Sequence, residues 1–151
     1  MFYSVMDTPT PTINDNVISI SNAQERKQYQ ALNGILQEIK NSLDHLLHSG
    51  NETVIELSTI PYGLESEEIL LKTLGKGEVT ASLTILGSDV IHETGIHGVW
   101  WVQHNDEKGN AITKSIYISY IPSILLAQPE DVEYSISLLE KRLMNTQNIE
   151  N

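Results

Sequence analysis

Apolar side chains return at alternating steps of three and four along the first third of the chain: Tyr29, Leu32, Leu36, Ile39, Leu43 and Leu46, with Ile35 and Leu47 widening the stripe. That period matches an α-helix with one buried side. Ser21-Asn22 can cap its start, and Gly50 follows its end, so a helix is predicted to about His48. Thr53 to Ser58 switches to a period of two, with Ile55 and Leu57 set against Val54, Glu56 and Ser58. Pro61 and Gly63 then break the chain before a short helix from Glu65 to Leu74, with Ile69, Leu70 and Leu74 inward and Gly75 as its stop.

The next fifty or so residues alternate again. Glu78 to Leu86 places Val79, Ala81, Leu83 and Ile85 on one face, and Gly87-Ser88-Asp89 reads as a hairpin turn. Strands follow at Val90 to Thr94, at Gly98 to His104 and, after the polar turn Asn105 to Asn110, at Ala111 to Ile121. The last carries Ile112, Ile116, Ile118 and Tyr120 on one face, and Pro122 prevents its extension. Pro129-Glu130-Asp131 opens a final helix with its acids at the positive end, Lys141 and Arg142 at the negative end, and Val132, Ile136, Leu139 and Leu143 as its stripe. This order predicts an α+β fold: a mainly antiparallel sheet of about four to five strands, with the long N-terminal helix, the short middle helix and the C-terminal helix packed largely on one face. Residues 1–20, with Thr-Pro steps and Asn-Asp-Asn, read as a flexible leader, 21–145 as a single domain and 146–151 as a frayed tail.

Three blocks within this pattern are more specific. Leu74-Gly75-Lys76-Gly77-Glu78-Val79 is a turn into a strand. Glu93-Thr94-Gly95-Ile96-His97-Gly98-Val99-Trp100 joins two strands, and Ile121-Pro122 ends the last one. In this order and at this spacing they resemble the C-terminal domain of the HupH/HyaF family, accessory proteins of [NiFe]-hydrogenase maturation, over roughly residues 60 to 143. The resemblance implies a non-enzymatic accessory or chaperone protein that binds a hydrogenase subunit precursor, with the small iron–sulfur subunit foremost, or another maturation factor. It places the contact at Glu93, Thr94, Gly98, Val99, Trp100 and Trp101. Where the family motif tends to have proline before Gly-Val-Trp, this chain has His97, and longer members carry further sequence upstream.

Composition narrows the alternatives. The 151 residues suffice for one domain, and the absence of cysteine removes disulfides, zinc ribbons and thiolate-held iron–sulfur clusters. A net charge of −11 disfavours nucleic acid and anionic membranes as partners, and no apolar run is long enough to insert in a bilayer. The start has no basic, long apolar signal segment, so the chain reads as cytoplasmic.

Catalytic chemistry has little to stand on. There is no nucleophile elbow, and Lys72 to Gly77 follows a helix with its lysine before Gly, unlike a phosphate loop. Each clustered carboxylate has a helix start to explain it, so no catalytic residue and no cofactor is assigned. A looser metal site from His92, Glu93, His97 and His104 is the alternative, as a metal-binding or metal-delivery protein. His92-Glu93 with His97 misses the zinc-protease spacing by one residue and lies on strand and turn. His45 and His48 fit capping of a helix C-terminus. Trp100 and Trp101 must point to opposite sheet faces, which leaves one indole for the core and the other either under a loop or exposed as an aromatic anchor. A dimerising structural module, a homodimer paired through the long first helix, is the third reading.

Overall fold

The structure, a computed structural model, describes residues 23–59, 64–84 and 87–147. The proposed leader, the break at Pro61 and Gly63, Ile85 and the last four residues lie outside these. Along the chain run α1 (Ala23–Ser49), β1 (Thr53–Glu56), a 3₁₀ turn (Leu57–Thr59), α2 (Leu64–Leu74), β2 (Thr80–Leu83), β3 (Ser88–Glu93), β4 (Val99–Asn105), β5 (Ala111–Ile118), a second 3₁₀ turn (Ser123–Leu125) and α3 (Pro129–Gln147). The strands form one antiparallel sheet in the order β1-β5-β4-β3-β2, so a meander carries β1 against its last strand. This is the α+β class that the periodicities predict.

The sheet is covered on both faces, by different means. On one side Ile55, Val99, Trp101, Ile116 and Ile118 meet Leu32, Ile35, Ile39 and Leu46 of α1 and Leu70 and Leu74 of α2 in the main core. In the stripe of α1, Leu32, Ile35, Ile39 and Leu46 are buried and Tyr29, Leu36 and Leu43 partly so, whereas Leu47 is 72 % exposed and Ser42 is buried. Gly50 and Gly75 close the two helices by donating to the carbonyls of Leu46 and Leu71, as their positions in the sequence require. On the same side Lys114 of β5 pairs with Glu67 of α2 at 2.7 Å. On the other side a smaller cluster of Ile91, Trp100 and Val102 is packed by Ala81, Leu83, Tyr117, Ile124 and Leu125. The last two belong to the segment after β5, which folds back over the sheet once Ser119 has broken the strand. Glu52 holds that segment down, accepting from Ser123 N–H at 2.8 Å and from its hydroxyl at 2.6 Å.

Four expectations are corrected. The last strand ends at Ile118, three residues early, and Ile112 and Tyr120 are exposed. Ser88 and Asp89 belong to β3, where Asp89 pairs with His104, and not to a hairpin turn. Val79 precedes β2 and is exposed, and Leu83 is only partly buried because β2 is an edge strand. The largest difference is α3: no residue in it is buried, and Val132, Ile136, Leu139 and Leu143 are 50–58 % exposed. The helix forms where the period predicts, but its apolar stripe does not pack on the sheet.

Candidate functional site

The turn between β3 and β4 is built around Thr94. Its hydroxyl donates to the Val99 carbonyl at 2.9 Å and accepts from Ile96 N–H at 3.2 Å, while its own N–H donates to the Val99 carbonyl at 3.0 Å. The side chain is buried, so these bonds supply what water cannot. Gly98 closes the turn at φ 84°, in the left-handed region that β-carbons disfavour, with Leu43 packed above it. Its carbonyl accepts from Ser119 N–H at 2.9 Å, which ties the turn to the end of β5.

A second loop lies directly on this one. A β-carbon at Gly77 would come 2.6 Å from the Thr94 carbonyl oxygen and 2.8 Å from Glu93 Oε2, and one at Gly95 would come 2.9 Å from the Leu74 carbonyl oxygen. Gly77 N–H donates to the Glu93 carbonyl at 2.9 Å. The Gly-Lys-Gly-Glu and Glu-Thr-x-x-x-Gly blocks are therefore two halves of one backbone-on-backbone contact.

The tryptophans point to opposite faces, as alternation requires, and both are buried: Trp101 is 3 % exposed and Trp100 is 7 % exposed. Trp101 lies in the core beneath the helices, with His92 stacked on it at a centroid distance of 6.4 Å. Trp100 lies under the returning segment and donates its indole N–H to the Ser119 carbonyl at 3.0 Å. Of the two outcomes open from sequence, the covering loop is the one found, and neither indole is an exposed anchor.

Of the residues singled out for partner contact, Thr94, Val99, Trp100 and Trp101 are thus buried framework. Glu93 and Gly98 reach a cleft of about 440 Å³, lined besides by Leu43, Leu46 and Leu47 of α1, by His97 and by Tyr120. Leu47 and Tyr120, which sequence reasoning placed on buried faces, are exposed at 72 % and 63 % and form apolar walls. Their signal was present only as apolar residues at the ends of elements.

The four donors of the metal alternative are kept apart. His92 stacks on Trp101 beneath the helices, whereas Glu93, at the end of the strand, lines the cleft at the β3–β4 turn. His104 of β4 lies opposite the start of β3, 2.9 Å from Asp89, and His97 approaches Glu93 at 3.4 Å. Among the described residues no group of three or more His, Asp or Glu side chains is placed to hold a metal ion. Among the described residues His92 Nδ1 is buried without a hydrogen-bond partner, and burial holds its pKa below the usual histidine value, with Lys76 adding to the effect against a backbone hydrogen bond at Glu93.

Comparison with known proteins finds relatives of the matched region. A hydrogenase expression/formation protein, HupQ, of Azotobacter chroococcum mcd 1 is 29% identical over 107 residues, 71% of this chain and 37% of that protein. HoxQ of Azotobacter vinelandii, described in the same words, is 29% identical over 87 residues, 58% of this chain and 31% of the relative. The chain thus spans about a third of the length of the curated relatives it matches. A solved structure of hydrogenase expression protein HupH from Thiobacillus denitrificans ATCC 25259 superposes with a TM-score of 0.73 at 32% identity, covering 76% of this chain and 95% of that one. Residues 30–146 match the family described as HupH hydrogenase expression protein, C-terminal conserved region, a span that takes in all five strands, α2, all but the last residue of α3, and the cleft. With the matched region holding both the sheet and the motif-built turn, the chain belongs to the HupH hydrogenase expression protein family, through its C-terminal conserved region.

Proposed function

We propose that this chain is a non-catalytic accessory module in hydrogenase maturation, cytoplasmic, which holds a hydrogenase subunit precursor through the cleft between α1, the β3–β4 turn and Tyr120. The small iron–sulfur subunit is the foremost client. The observation that carries this reading is the coincidence of the family's motif with the cleft: the Glu-Thr-x-x-x-Gly-Val-Trp segment builds the floor, and what it exposes is an apolar surface rather than a set of reactive groups. Exposed leucine and tyrosine beside a rigid turn are the kind of groups that anchor a protein partner. The longer relatives named for hydrogenase expression and formation support the setting.

Leu47→Asp and Tyr120→Asp test it, because both side chains are exposed and neither change removes a core contact. Each variant is expected to fold like the parent and to bind a small-subunit precursor at least about tenfold more weakly, as loss of an anchoring contact does. Undiminished capture of the precursor by both, or no capture by the parent chain, counts against the reading.

A further inference from the structure

We infer that the cleft selects a client segment in which large apolar side chains are followed directly by a basic one, with the Glu93 carboxylate receiving the cation. This rests on the cleft being the client site. Apolar atoms of Leu43, Leu46, Leu47 and Tyr120 make up most of its wall, and among the described residues Glu93 is the one carboxylate that lines it. That carboxylate is held rather than free to swing: its side chain is only 16 % exposed and rests against the backbone of Gly77. Its facing partner is His97 at 3.4 Å, a side chain 98 % exposed and easily displaced. Among the described residues no lysine or arginine lines the cleft, so a half-buried anion waits beside an apolar surface with a weak and removable neighbour. A guanidinium or ammonium brought in by an adjacent apolar anchor would make a charge-assisted hydrogen bond there, stronger than one on the open surface. An acidic segment would meet like charge instead, both from Glu93 and from a chain of net charge −11.

The test uses NMR titration of the isotope-labelled chain with a Gly/Ser peptide carrying a Leu-Leu-Arg step, and with the same peptide carrying citrulline, a neutral isostere, in place of arginine. The arginine peptide is expected to shift the Gly98 amide and to bind at least about tenfold more tightly than the citrulline peptide, the scale of one charged hydrogen bond. Glu93→Gln is expected to abolish that preference. His97→Lys, at a position too exposed to affect folding, is expected to cut it by about threefold or more by supplying a competing ammonium. Absence of arginine-peptide binding, equal binding of both peptides, or a preference that survives both substitutions overturns the inference. A precursor captured equally by the parent and by Glu93→Gln, but lost in Leu47→Asp, would remove this inference and leave the proposed function standing. A Glu93-dependent peptide preference with no precursor capture would do the reverse.

Discussion

At the scale of single residues, the two adjacent tryptophans show how far alternation reaches. It assigns them to opposite faces but says nothing of what covers each face. Both are buried, one beneath α1 and α2 and the other beneath the segment that carries Ile124 and Leu125. Trp101→Ala and Trp100→Ala are therefore each expected to lower stability by about 3–5 kcal/mol in chemical denaturation. A near-neutral result for Trp100 would mean that the returning segment does not cover it. His92 gives a pH signature. Burial lowers its pKa in the folded chain, so as pH falls through 6.5 the unfolded chain takes up a proton that the folded chain refuses. Stability should fall in that window and level off below the depressed folded value. His92→Phe, which keeps a ring on Trp101, is expected to show a shallower loss across the same window; equal losses in urea titrations above and below it would contradict the burial argument.

At the scale of elements, α1 and α3 carry the same kind of periodic stripe and meet different fates. The stripe of α1 is packed against β4, β5 and α2, whereas that of α3 is exposed along its length. Ile39→Ala is expected to cost about 2–5 kcal/mol, and Leu139→Ala less than about 0.5 kcal/mol. A large loss for Leu139 in thermal unfolding would show that α3 is packed in solution. A helix of this length without tertiary packing is only marginally stable, so its amides are also expected to exchange faster than those of α1. Turn glycines were legible in the sequence because a tight turn needs them, but the meeting of Gly75 with Gly95, and of Gly77 with Thr94, across two loops was not. Nothing local distinguishes a glycine that turns the chain from one that admits another backbone.

At the scale of the whole molecule, the order of elements, the α+β class and the separation of apolar from polar faces were determined by the sequence itself. Period, caps and breakers act within a few residues of chain and so can be read there. The family motif was legible for the same reason, since Gly75, Thr94, Gly98 and Pro122 each answer a local backbone requirement. Only the tertiary structure decided which apolar surfaces are closed. It placed Leu47 and Tyr120, some seventy residues apart in sequence, on the walls of one cleft with Glu93, while His92 stacks on Trp101. It also left α3 uncovered and drew the residues after β5 over Trp100. Periodicity reports that one side of an element avoids water. What that side meets depends on contacts between residues distant in sequence, and these are set by how the helices and the returning segment share the two faces of one sheet.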